Sequence, residues 1–166
     1  MKYTIKKGNH RAWPLRFGLW FGKTIIRRSV TFYPSCKYDL KTDDQHDTHK
    51  LFGIGYFPHH QKNSARFGWR YNNLTNKIII SAYCYVDGER VIKDIVGLNI
   101  NERYIFTLEV NPHFYEFGVK PIDIMHSVIV EFVDKKINHW ISYPLSVFFG
   151  GNRTAPNDMM IEINKI

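Results

Sequence analysis

The stretch Lys77-Ile78-Ile79-Ile80-Ser81-Ala82-Tyr83-Cys84-Tyr85-Val86-Asp87-Gly88-Glu89-Arg90-Val91-Ile92-Lys93-Asp94-Ile95-Val96 decides the fold class. Ile78, Ile80, Ala82, Cys84 and Val86 share one parity, and Ile79, Ser81, Tyr83 and Tyr85 the other. That period of two belongs to a strand with one buried face. Asp87-Gly88 follows at once and predicts a type I′ hairpin, because both central residues must take positive φ. Arg90–Val96 then returns as the partner strand. Outward from this hairpin the alternation recurs. Ile26, Arg28, Val30 and Phe32 interleave with Arg27, Ser29, Thr31 and Tyr33. Phe67, Trp69 and Tyr71 interleave with Arg66, Gly68 and Arg70. Further strands are read at Arg103–Val110, His113–Val119, Ser127–Val133, Ile137–Tyr143, Leu145–Phe149 and Met159–Ile163, with a hairpin turn at Asp134-Lys135-Lys136. No segment keeps a helical repeat for three turns, and one helical turn is expected at Asp123–Ser127. About ten short strands predict an all-β, two-sheet antiparallel sandwich with jelly-roll topology.

Composition agrees. The chain has 166 residues, 44% hydrophobic and 16% aromatic, enough to build one core and too apolar for disorder. No apolar run reaches the roughly 18 residues of a membrane span, and Lys6, Lys7, Arg11 and Arg16 interrupt any secretory leader. A cytoplasmic or virion-associated protein is therefore expected. Cys36 and Cys84 are too few to staple the chain, and Cys84 is read as a small core residue.

The net charge of +8 is uneven. The first 41 residues hold ten Lys/Arg against one acid, Asp39, whereas the rest is close to neutral. Residues 1–23 are read as a basic, aromatic arm and 24–166 as a single sandwich domain. In the arm Lys6, Lys7, Arg11, Trp13, Arg16 and Trp20 mix bases with rings. Such a segment packs on its own domain, grips a protein neighbour in an assembly, or binds nucleic acid by stacking and phosphate contact.

Three constellations could carry chemistry. Asp43, Asp44, His46, Asp47 and His49 offer oxygen and nitrogen ligands for a divalent metal, although a solvated connecting loop has the same composition and no EF-hand spacing is present. His59-His60-Gln61-Lys62-Asn63-Ser64 runs into a strand bearing Arg66, Trp69 and Arg70. If that strand pairs with Lys77–Val86, Arg66 and Arg70 share a face with Tyr83 and Tyr85, a combination suited to a sugar, a carboxylate or a phosphate. Trp69 reads both as a core side chain and as a ring for such a ligand. The third is Val147-Phe148-Phe149-Gly150-Gly151-Asn152, a strand ending in a sharp turn, with Asn152 as a polar candidate. No nucleophile elbow, P-loop or dinucleotide fingerprint occurs, and no carboxylate pair of the glycosidase kind stands on one strand face.

The terminal Val-Phe-Phe-Gly-Gly-Asn, its loop and the alternating last strand resemble the closing hairpin of concanavalin-A-like jelly rolls, which include LamG-type lectins and some polysaccharide lyases. The resemblance covers about 25 residues and implies a concave sheet that binds glycans. Of the lyase motifs in the alginate family, Arg66-Phe67-Gly68-Trp69-Arg70 matches only the two arginines; the Gln-x-His strand is absent and Tyr143-Pro144-Leu145 matches the third poorly. The size, charge and aromatic content also resemble phage-encoded structural proteins in style. Two functions follow as expectations. One is a non-enzymatic binding or assembly module without a cofactor. The other is a lyase-like enzyme on an acidic glycan, with Arg66 or Arg70 neutralising the carboxylate and His59, His60 or Tyr83 moving protons.

Overall fold

The computed structural model describes residues 1–15, 17–123, 128–136 and 138–166. Thirteen strands among them form two antiparallel sheets. The seven-stranded sheet runs β11 (Ile129–Asp134), β10 (Phe114–Pro121), β9 (Arg103–Val110), β4 (Ile25–Phe32), β13 (Met159–Lys165), β1 (Lys2–Ile5), β2 (Ala12–Trp13). The six-stranded sheet runs β3 (Trp20–Phe21), β12 (Ile141–Leu145), β5 (His49–Tyr56), β6 (Ser64–Asn72), β7 (Lys77–Val86), β8 (Glu89–Leu98). The β7–β8 turn places Asp87 at φ 54° and Gly88 at φ 88°, as a type I′ hairpin requires.

The sheets close on one apolar interior. Ile78, Ile80, Ala82, Cys84 and Val86 of β7 are all buried there. Phe67 of β6 meets Phe106 of β9 at 4.9 Å and Phe117 of β10 at 5.1 Å, both edge-on. Edge-to-face pairs of this kind add about 0.5–1.5 kcal/mol each beyond their burial. Trp69 is fully buried against Phe32 of the opposite sheet, so it is a core residue and reaches no surface ligand.

Four sequence expectations change. Residues 1–23 are not a segment separate from a sandwich that starts at residue 24: β1 pairs with the last strand, β2 pairs with β1, and β3 pairs with β12 in the other sheet. Tyr3, Ile5 and Ala12 are buried, so the segment completes both sheets, and these three added strands raise the strand number above ten. The strand β5 was not anticipated, because Gly53 and Gly55 blank one of its faces and break the alternation. Asp134-Lys135-Lys136 makes no hairpin, since β11 and β12 lie in different sheets. Residues 145–149 are no separate strand: Leu145 ends β12, and Phe148 makes isolated bridges to Arg11 and Lys50. The helical turn expected at Asp123–Ser127 falls on residues 124–127, which lie outside the described residues, as does Arg16. No helix among the described residues is long and apolar enough to cross a membrane.

Candidate functional site

Strand pairing builds the site row by row on the six-stranded sheet's face turned away from the core. Arg66 lies opposite Tyr83 on one side and Gly53 on the other, and Gly53 lies opposite Leu145. The next row is Tyr85, Ser64, Gly55 and Tyr143. The two glycines keep β5 bare. A Cβ on Gly53 would lie 2.1 Å from the Ala65 carbonyl oxygen, and one on Gly55 would lie 2.8 Å from the Tyr143 ring. Bare backbone here lets Arg66 and Tyr143 lie across the strand.

Above these rows sits a cavity of about 480 Å³, lined by Arg11, Lys50, His60, Arg66, Tyr83 and Tyr85 with an apolar wall of Leu145, Val147 and Phe148. Its size falls within the roughly 300–1,000 Å³ of small-ligand pockets. Phe148 is fixed by backbone hydrogen bonds in both directions with Lys50, at 2.8 and 2.9 Å, and by stacking on His10 at 5.2 Å. The N-terminal segment thus braces the Phe148 wall through His10 and Arg11 and adds Arg11, Leu15 and Phe17 to the lining.

The electrostatics are one-sided. Arg66 is only 6% exposed, yet among the described residues its Nε has no hydrogen-bond partner and no carboxylate pairs with it. Burial pushes its guanidinium down to about 10. Lys50 holds its ammonium 5.0 Å from the Tyr83 ring centre and 5.8 Å from that of Phe148. Burial first, and then the charge of Arg66, bring it down to about 8, with the Asp47 carboxylate opposing the shift in part. Gly150 makes room for it, because a Cβ there would stand 2.3 Å from Lys50 Nζ. His60 is lowered by burial and by Arg66, so its imidazole is neutral at pH 7. Burial raises Tyr83 and Tyr143, which keep their protons. No described residue lining the cavity is a carboxylate.

Of the residues expected from sequence, Arg66, Tyr83, Tyr85, His60 and Arg11 converge here. Arg70 does not. Its guanidinium is clamped by Asp94 at 2.8 and 2.5 Å, and Asp94 also accepts from Ser81. His59 and Asn152 are exposed and do not line the cavity. Lys6 pairs with Asp158 on the surface, Lys7 points to solvent, Trp13 is exposed, and Trp20 packs against the core. Lys50 and Phe148 were missed, since they sit on the unforeseen strand and the bridge that follows β12. The alternating Gly53 and Gly55 were the signal that could have revealed them.

The metal expectation meets a different arrangement. His49 is fully buried; its Nδ1 accepts from the Gly150 N–H at 3.0 Å, leaving Nε2–H to donate to the Tyr38 hydroxyl at 2.9 Å. Burial brings it down to about 3, a neutral ring that orders the Gly150 turn beside Lys50. Asp44 pairs with Arg153. Among the described residues no three His, Cys, Asp or Glu side chains are grouped to hold a metal ion. Cys36 is buried with its thiol pushed up to about 12 by desolvation, so it stays protonated at neutral pH.

No protein-family model matches the sequence, and no curated protein does. Among solved structures, a functionally unknown protein from Saccharomyces cerevisiae superposes with a TM-score of 0.58 at 7% identity, over 99% of this chain and 88% of that one. An alginate lyase from Klebsiella pneumoniae superposes with a TM-score of 0.54 at 8% identity, over 90% of this chain and 59% of the lyase, so this chain spans little more than half of that enzyme's length. At such identities these likenesses establish the fold alone.

Proposed function

We propose that this protein is a non-enzymatic binding module for an acidic saccharide, with a sugar carboxylate seated against Arg66 and Lys50. The observation that carries the reading is that pair of desolvated cations on one cavity wall, where no described lining residue is a carboxylate, Arg66 has no carboxylate partner among the described residues, and Asp47 offsets only Lys50 from outside the lining. Buried charges are ordinarily paired, so an unpaired guanidinium facing a cavity calls for an anion from outside. A planar guanidinium takes a carboxylate through two parallel hydrogen bonds. Tyrosine hydroxyls suit sugar hydroxyls, and the Leu145–Val147–Phe148 wall suits the C–H face of a ring. The fold likeness to a protein named as an alginate lyase supports a sugar over other anions. Calorimetric titration with short oligouronates tests it: Arg66→Met should abolish binding, whereas Arg70→Ala, whose side chain is tied to Asp94, should leave it within about twofold. Equal affinities in wild type and Arg66→Met would overturn the assignment.

His60 favours a second reading. A neutral imidazole in the same cavity as Arg66 could take the proton next to the carboxylate while Arg66 stabilises the developing charge and Tyr83 protonates the leaving oxygen. That elimination leaves an unsaturated sugar absorbing in the ultraviolet. Absorbance that grows with wild type and vanishes with His60→Ala would make the protein a lyase; a flat trace on every uronate polymer leaves the binding module.

A further inference from the structure

Beyond the charged cavity the same face carries apolar side chains open to solvent along its β3–β12 rim. Phe21 is 62% exposed, Phe57 50% and Ile141 44%. Phe21 and Ile141 are cross-strand partners, and Ile141 shares its face with Tyr143, two residues on. The Tyr143 ring meets Phe57 edge-on at 5.4 Å. Tyr143 also reaches back to the cavity. It covers Gly55 next to His60, whose Cβ would be 3.1 Å from a side chain at that glycine, and it lies within electrostatic reach of Arg66. The rim and the cavity are therefore one surface, joined at Tyr143.

An exposed apolar strip of this kind marks a contact surface. A second copy adding to the edge is disfavoured by the two-residue length of β3, which offers little ladder to pair with. Continuity through Tyr143 favours whatever already occupies the cavity. We infer that the ligand is an extended saccharide chain, its anionic unit held at Arg66 and Lys50 and its following rings laid on Tyr143, Phe57 and the Phe21–Ile141 pair. The inference rests on the acidic-saccharide reading above. Sugar rings present C–H faces that pack on aromatic and aliphatic side chains without needing charge, so each covered ring adds affinity that a single sugar cannot gain.

The experiment is a calorimetric series of uronate di-, tri-, tetra- and hexasaccharides on wild type and on the double variant Phe21→Ala/Phe57→Ala, with light scattering of both proteins. Both phenylalanines are half exposed or more, so the variant should keep the wild-type melting temperature. Affinity of wild type should rise about tenfold from disaccharide to tetrasaccharide, and the variant should keep the disaccharide affinity while losing that rise. A rise that survives in the variant, a length-independent affinity in wild type, or a dimer that dissociates in the variant would each overturn the inference while leaving the cavity assignment standing. Failure of every oligomer to bind would remove the saccharide reading and this inference together.

Discussion

Arg66→Met separates a stored charge from a structural anchor. In the fold the guanidinium is pushed from its ordinary value down to about 10 by burial, and at about 1.4 kcal/mol per unit the charged form costs the folded state about 3 kcal/mol. Because the folded value lies below the unfolded one, that penalty is complete at pH 7 and fades only as pH climbs from about 10 towards the ordinary arginine value. Methionine keeps an unbranched stem of similar reach and carries no charge to desolvate. It also removes the orphaned Nε. Allowing for lost packing and for some repayment by the surrounding tyrosine dipoles, the variant should gain about 1–2 kcal/mol, or about 3–6 °C in Tm for a domain of this size. Thermal unfolding by circular dichroism at pH 7 reads this directly. Titration of the same samples with an oligouronate should show binding in wild type and none in the variant. A Tm lowered by about 5 °C or more would refute the reasoning, because it would make Arg66 a paired structural group.

Lys50, held down to about 8, should make anion affinity fall several-fold between pH 7 and 9, where an ordinary lysine stays charged; a dissociation constant flat across pH 7, 8 and 9 would contradict its role. The same depression means that its unfavourable contribution to folding is full below about pH 8 and fades towards 10.5. Gly53→Ala should be severely destabilising. Its Cβ would lie 2.1 Å from the Ala65 oxygen and 2.4 Å from Arg66 Cα, both backbone atoms that move only if β5 and β6 part. A loss of about 3 kcal/mol or more is expected, read as a Tm drop of about 8 °C or as insoluble protein; a Tm within about 2 °C of wild type would contradict the tight β5–β6 approach. Deleting residues 1–23 removes β1, β2 and β3 and the burial of Tyr3, Ile5 and Ala12. That is about 5 kcal/mol, comparable with the whole stability of a domain, so the truncated chain should give an unfolded circular dichroism spectrum. A folded, soluble truncation would contradict the place given to these strands.

Period-two alternation revealed β4, β6, β7, β9 and β13, because each has one face in the core and an uninterrupted run of side chains to show it, whereas β8 followed from the Asp87-Gly88 turn. It failed at β5 for a physical reason that matters to the site: Gly53 and Gly55 have no side chains to alternate, and their bareness is what opens the cavity floor. It failed at β1–β3 because strands of two to four residues leave no period to count, and the mix of bases and rings around them read as an arm beside the sandwich. Parity alone put Arg66, Tyr83 and Tyr85 on one face. It could not separate Arg66 from Arg70, which share that parity. Asp94 separates them, brought opposite Ser81 by the irregularity in the β7–β8 pairing, and no local pattern announces that shift. Lys50, Arg11 and Phe148 come from three distant segments, and the bridges of Phe148 to both bases bring them together.

If the cavity receives a sugar carboxylate, binding must depend on the negative charge of that group. The most direct measurement is a calorimetric titration of the full chain with uronate trisaccharides and with their methyl esters, which keep the shape and remove the charge. The account predicts binding of at least one acid form, weakening as salt is raised, with the matching ester losing most of that affinity. Ester and acid binding alike, or neither binding for any uronate, would contradict it.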